Sequence, residues 1–288
     1  MGVTLAYETW GEGSRPLVLL HGFTGNRASF QGLRPLMGRS VHAIAVDLPG
    51  HGATPLPERK GRDGFLETVD ALVSLVDRLG VGTVDLLGYS QGARVALAAA
   101  VRAPDRFGRL IMESGSPGLH RRQERAARRE ADGQLAAFIR ARGVDAFVER
   151  WEALPLFEGL RSMSAERRET LRAHRRACTT EGLAGALETL GLGVQPDYWS
   201  ELHHQRLPTL LLTGARDEKF TQTARRMAAE LPVVWRHAFS DCGHAPHLEA
   251  PEEYVREVLG FLQTPWYEAP QFEGTTATAA ASPGRVSP

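Results

Sequence analysis

Cysteine is nearly absent. Cys178 and Cys242 are the two in the 288-residue chain, which excludes a disulfide framework and a four-cysteine zinc site. No apolar run approaches the length of a membrane-spanning helix, and no basic segment followed by an apolar stretch opens the chain, so no secretory signal is expected. Net charge is also lacking: Lys+Arg and Asp+Glu are 34 each. A general nucleic-acid binder needs a positive excess, so neither a nucleic-acid nor a membrane partner is expected. Internal repeats are missing. Lysine is scarce, with only Lys60 and Lys219, so arginine carries almost all the positive charge. Arginine's planar fork suits carboxylate recognition, although a biased codon usage would give the same composition. With 42% hydrophobic and 24% charged residues, a cytoplasmic globular protein built on one large core is expected.

The first half of the chain alternates short apolar runs with amphipathic stretches. Residues 17–21, 41–46, 83–88 and 109–112 read as buried strands, each close to continuously apolar and ending at or near a Gly, Asp or Ser. Helical periodicity covers 64–79, where Phe65, Val69, Leu72, Val73, Val76 and Leu79 share a face, and 91–103. Strands alternating with helices predict a mostly parallel sheet built from right-handed crossovers. Residues 3–10 are expected to add an antiparallel edge hairpin. Residues 119–192 interrupt this rhythm with helices near 121–142, 144–152, 164–177 and 180–191, and Trp151, Leu154, Leu156 and Phe157 form an apolar knot around Pro155. The α/β pattern resumes with strands at 208–213 and 233–239 and helices at 221–231 and 251–262. The expected organisation is a core of 1–118 and 193–263, a helical cap of 119–192 inserted after the strand near 109–112, and a tail of 264–288 whose composition predicts disorder.

The strongest chemical signal is Gly88-Tyr89-Ser90-Gln91-Gly92 between a strand and a helix, the context of a G-x-S-x-G nucleophile elbow. Glycine leaves room for the sharp turn, and the serine hydroxyl is held at the carboxyl edge of the sheet, where open α/β folds bind ligands. A serine nucleophile needs a base, and the base an orienting acid, in the chain order Ser, acid, His for this elbow. Asp217 follows the strand 208–213, and His244 follows the strand 233–239. Glu218 is the rival acid, one residue off. His247 is the rival base, and is expected to pack or hydrogen-bond locally. The backbone N–H groups of Phe23, in the turn His21-Gly22-Phe23-Thr24-Gly25, and of Gln91 are the candidate oxyanion donors. His21 is expected to brace its loop. The loop 47–52 (DLPGHG) has no catalytic role assigned.

Taken together, HGFTG, DLPGHG, GYSQG and GHAPHLEAP resemble the α/β-hydrolase superfamily from about residue 3 to 263. A narrower resemblance is to the MenH family, the SHCHC synthases of menaquinone (vitamin K2) biosynthesis. It rests on Arg94 in GYSQGAR, on Ser114-Gly115-Ser116-Pro117-Gly118-Leu119, on Glu124–Arg128 with Asp132, and on Phe147–Trp151 with Pro155-Leu156-Phe157. Glu181-Gly182-Leu183-Ala184, Val194-Gln195-Pro196 and Asp217-Glu218-Lys219-Phe220 also match. Ala93 departs from the family's usual glycine, and Thr179-Thr180 from an Asn-Pro-like step.

The resemblance implies the α/β-hydrolase fold and a lyase. Such a lyase eliminates pyruvate from 2-succinyl-5-enolpyruvyl-6-hydroxy-3-cyclohexene-1-carboxylate to give 2-succinyl-6-hydroxy-2,4-cyclohexadiene-1-carboxylate. That step needs a base for a ring proton beside a carbonyl, donors for the developing enolate oxygen, and cations for a polycarboxylate. Ser90, His244 and Asp217 would supply the base. Arg94, Arg128 and Arg175 would clamp carboxylates, with Arg176 the alternative to Arg175, and Tyr89 and Trp151 would line the pocket. No metal and no organic cofactor is implied. A carboxylic-ester or C–C hydrolase on the same scaffold shares the whole triad, and a non-enzymatic receptor shares the fold. The arginines and cap motifs favour the lyase over the hydrolase, and the intact Ser, Asp, His order weighs against the receptor.

Overall fold

The computed structural model describes residues 2–264. Seven strands form one sheet: β1 (Tyr7–Trp10), β2 (Arg15–Leu20), β3 (Val41–Val46), β4 (Val84–Tyr89), β5 (Phe107–Glu113), β6 (Thr209–Gly214) and β7 (Val234–Phe239). Their spatial order is β1-β3-β2-β4-β5-β6-β7. All neighbours are parallel except β1 and β3. The expected edge hairpin is therefore corrected to a single edge strand. Both sides of β2 are occupied by parallel partners, β3 and β4, so β1 pairs instead with the free side of β3, in the register Tyr7↔Val46.

Strand side chains alternate between two cores, as the pleat dictates. Val18, Leu20, Leu86, Leu110, Met112 and Leu211 join the core under α2 (Gly61–Leu79) and α3 (Gln91–Arg102), which follow the one-turn α1 (Arg34–Met37). Leu17, Leu19, Leu87, Ile111, Leu210 and Leu212 face the opposite core. That core holds Phe30, Leu33, Tyr254, Val258 and Phe261. Coverage on both faces explains why the strands read as unbroken apolar runs. The buried alanines at 96 and 98–100 keep α3 thin where it meets the sheet.

Between β5 and β6 the chain is helical: α4 (Arg122–Glu152), α5 (Ala165–Arg176) and α6 (Thr180–Leu190), with 3₁₀ turns at Pro155–Ser162 and Trp199–His204. Gly143 breaks α4 with φ 76° and ψ 176°, the place where the two predicted helices part. Thr179 caps α6 by accepting from Gly182 N–H at 3.0 Å, a stop-and-start step in place of the Asn-Pro-like one. Ala136, Ile139, Phe147, Leu183 and Leu187 form a separate small core between α4 and α6. The predicted knot around Pro155 holds for Phe157, which is buried, but Leu154 is exposed. The predicted tail falls outside the described residues beyond Thr264. No helix of the described residues is long and apolar enough to cross a membrane.

Candidate active site

The carboxyl ends of the strands converge on one edge. β4 ends in Tyr89, and Ser90 turns the chain into α3 with φ 50°. The flanking glycines are required here. A Cβ on Gly92 would lie 2.0 Å from the Leu20 carbonyl oxygen, and one on Gly88 2.5 Å from Ala93 N. Ser90 N–H donates to Glu113 O at 2.8 Å, anchoring the elbow to β5.

His244 Nε2 lies 3.0 Å from Ser90 Oγ, and His244 Nδ1 lies 2.6 Å from Asp217 Oδ2. A carboxylate only accepts, so Nδ1 carries the proton and Nε2 is free to take the serine's. Asp217 stands just before α7 (Glu218–Glu230), and its other oxygen accepts from Phe220 N–H at 3.3 Å. The His244 loop is gripped by Glu249, which accepts from Gly243 N–H at 2.7 Å and Ala245 N–H at 3.1 Å. Glu218 is exposed and accepts from Gln222 instead. His247 is buried, and its partner is distant in sequence rather than local: Nδ1 and N–H both face Glu113 Oε1, at 2.7 and 3.1 Å.

His21 and His51 brace the loops carrying Phe23. Leu48 N–H donates to His21 Nε2 at 2.9 Å, and Thr24 N–H to His51 Nε2 at 3.3 Å. Both rings must therefore be neutral. Burial lowers His21 to about 4, and burial together with the neighbouring His21 lowers His51 to about 3. Asp47, fully buried, accepts from Arg27 N–H, Arg27 Nη1 and Ala53 N–H at 2.7–2.8 Å, consistent with a scaffold role for the DLPGHG turn. Gln91 opens α3, and the first N–H groups of a helix have no helical acceptor.

A chamber of about 280 Å³ contains Ser90 and His244 together with Phe23, Tyr89, Gln91, Arg94, Arg128, Trp151 and Lys219. Arg94 is buried and donates to Gln195 Oε1 at 3.2 Å. No carboxylate among the described residues pairs with it. Burial and then the neighbouring Arg128 lower it to about 9, against a smaller opposing effect of Asp132. Arg128 itself donates to Asp132 Oδ1 at 2.8 Å. Gln195 is oriented by its own bond to Ser116 O at 3.2 Å. Trp151 Nε1 is buried with no partner among the described residues.

Arg175 is placed differently from the sequence expectation. It does not line this chamber. It lines an adjoining one, which shares Phe23, Tyr89 and Phe157 as a common wall. Its Nη1 donates to Glu152 at 3.0 Å, and the guanidinium stacks over Phe157 at 5.1 Å. A carboxylate partner and a ring hold it there. Arg176 pairs with Asp145 at 3.2 Å and is partly exposed. The chamber's third cation is instead Lys219, over Phe220 at 5.4 Å. Sequence reasoning passed over Lys219 and Phe220 as pocket residues and Gln195 as the partner of Arg94. Their signal was proximity to Asp217 for two of them, and the Val194-Gln195-Pro196 segment for the third. No cluster of His, Cys, Asp and Glu suited to a metal occurs among the described residues.

A histidine-activated hydroxyl, a helix start with its free N–H groups and three cations share one small chamber. The chemistry available is proton transfer or acyl transfer on an anionic ligand. Residues 17–257 match the model of the alpha/beta hydrolase family. A 2-succinyl-6-hydroxy-2,4-cyclohexadiene-1-carboxylate synthase of Citrobacter koseri is 36% identical over 251 residues, covering 87% of this chain and 95% of the relative. The chain belongs to the α/β-hydrolase family, in its MenH branch. The synthase of the same name from Salmonella typhimurium is 33% identical over 255 residues, with the same coverage. The structure of MenH from S. aureus superposes with a TM-score of 0.84 at 32% identity, covering 89% of this chain and 97% of that one. The likeness to these relatives covers both the sheet and the helices between β5 and β6.

Proposed function

We propose that the protein is a lyase of menaquinone biosynthesis. It eliminates pyruvate from 2-succinyl-5-enolpyruvyl-6-hydroxy-3-cyclohexene-1-carboxylate and yields 2-succinyl-6-hydroxy-2,4-cyclohexadiene-1-carboxylate. The observation that carries this reading is Arg94, a buried cation with no carboxylate partner among the described residues, in the chamber of Ser90 and His244. A buried charge is stable only when paired, so an anionic ligand completes the site. A generic ester pocket has no use for Arg94, Arg128 and Lys219 together.

The proton at ring C2 is acidified by the adjacent succinyl carbonyl. The Ser90–His244 pair removes it, and Asp217 holds the imidazole in the tautomer that can accept it. Electrons from the C2–H bond form C2=C3, the C3=C4 pair moves to C4=C5, and the C5–O bond breaks. The departing enolpyruvate takes up a proton and becomes pyruvate. Phe23 and Gln91 N–H groups face the oxygen that gains charge. Ser90 acts in proton transfer, and no acyl-enzyme forms. Arg94 and Arg128 hold ring-side carboxylates. Residues 119–192 act as a cap, since Arg128, Trp151 and Phe157 close the chamber from that side. The multiply charged substrate does not cross a bilayer unaided, which fits a cytoplasmic enzyme.

The test supplies the enolpyruvyl intermediate freshly made by the preceding pathway enzyme and follows diene absorbance with released pyruvate, beside a panel of p-nitrophenyl esters. Coupled diene and pyruvate with weak ester cleavage is expected. No acceleration over the spontaneous background, with rapid ester turnover, would replace the lyase with a hydrolase.

A further inference from the structure

We infer that Glu113 and Ser114, at the end of β5, are positioning residues that hold the triad serine and the histidine in register. Two consecutive residues reach both catalytic segments. Glu113 O accepts from Ser90 N–H at 2.8 Å. Ser114 Oγ donates to the main-chain oxygen of His244 at 2.9 Å. The Glu113 carboxylate takes both His247 N–H at 3.1 Å and His247 Nδ1 at 2.7 Å, three residues beyond the catalytic imidazole. Ser114 N–H is itself fixed to Leu212 O at 2.9 Å, so the post stands on β6 as well. The His247 ring packs on Tyr89 at 4.6 Å, which returns the contact to the residue before Ser90.

Backbone strain marks the same place. Among the described residues three non-glycine positions have positive φ: Thr24 (71°), Ser90 (50°) and Ser114 (48°). Ser90 is the triad serine, and Thr24 lies in the loop of the proposed Phe23 donor. Ser114 is the third, fully buried and lining the chamber. A β-carbon residue held at such φ persists only where its surroundings over-determine it. The hydroxyl is what a glycine there would lack, and its hydrogen is committed to His244 O. The Ser90–His244 approach of 3.0 Å thus depends on an element that carries neither residue.

This inference rests on the triad reading and is independent of the substrate. Its test measures the rate at which a fluorophosphonate probe labels Ser90, together with kcat and KM of the elimination. Ser114→Ala and Ser114→Gly are expected to slow labelling and kcat by about 10–100-fold, the scale of a misplaced reacting group, with KM within about twofold and Tm preserved or, for the glycine, raised. Glu113→Ala is expected to behave alike, and Glu113→Gln, whose amide oxygen can accept both His247 bonds, to recover most of the rate. The downfield proton resonance of the His244–Asp217 bond should shift in Ser114→Ala. In a His244→Ala background, Ser114→Ala should cause no further loss, because the clamp acts only through that histidine. An unchanged labelling rate in both Ser114 variants overturns the inference, as does a raised KM at constant kcat or a full additional loss in the His244→Ala background. Labelling of His244→Ala at the normal rate would instead overturn the triad reading itself.

Discussion

Arg94 brings a positive charge into a wall where the described residues offer it an amide oxygen and no carboxylate partner. Desolvation makes that costly to the empty fold, and the same desolvation strengthens its hold on an incoming carboxylate. Arg94→Met, which keeps the chain length and removes the charge, should therefore raise Tm while lowering kcat/KM for the enolpyruvyl substrate by about 2–5 kcal/mol. Thermal melts and steady-state kinetics on one preparation check both directions. Loss of Tm together with activity would make Arg94 a packing residue. At the triad, Ser90→Ala and His244→Ala should each lower kcat by several orders of magnitude, and the double variant should lose little more, because the pair acts as a unit. The sequence located these residues because each stands at a strand end in an order with chemical meaning. It could not place Arg175, whose neighbours Glu152 and Phe157 come from other turns of the inserted helices.

Element by element, what was legible was what depends on local periodicity. β3 falls on the predicted residues, and the other inner strands fall within two residues of prediction at either end, because burial on both faces writes itself as an apolar run. The edge strand β1 was misassigned as half of a hairpin, since its partner is chosen by which side of β3 is free, a property of the finished sheet. The short helices Arg34–Met37 and Pro246–Glu249 and the 3₁₀ turns, none longer than 8 residues, are too short to repeat a pattern that could be read. The Gly143 break was visible as a glycine between two amphipathic stretches, and its backbone angles admit little else. With open space around its Cβ position, Gly143→Ala would cost only conformational strain, about 1–3 kcal/mol. Chemical denaturation should show that loss with KM unchanged. The loops after β2 and β3 carry a pH signature. His21 and His51 are held neutral, near 4 and 3, against 6.5 when unfolded. The unfolded chain binds more protons in that window, so their contribution is complete above pH 6.5 and is lost as pH falls toward 4 and then 3. Each unit of depression is worth about 1.4 kcal/mol. Denaturation midpoints between pH 7 and 4 should fall, and less steeply in His51→Gln. A parallel fall in both proteins would remove His51 from the account.

For the molecule as a whole, opposite charges cancel to zero, yet the chamber concentrates Arg94, Arg128 and Lys219 around Ser90. One carboxylate, Asp132, answers Arg128. A neutral protein with a cationic chamber exerts little long-range pull, and its attraction for a polyanion begins only within a Debye length, about 10 Å at 0.1 M salt. Lys219 is exposed and Arg128 is 40% exposed at its side chain, so their fields are screened. Arg94 is buried and largely escapes screening. The kcat/KM for the tricarboxylate should therefore fall with added KCl, moderately at first and then toward a floor set by Arg94, while cleavage of a neutral p-nitrophenyl ester stays flat. Arg128→Ala should flatten the slope at low salt and leave the floor ratio between substrate and ester unchanged, whereas Arg94→Met should lower the floor and keep the slope. Equal slopes for the charged and neutral substrates would mean that the cations serve the fold, and that selection among substrates is made by the shape of the chamber alone.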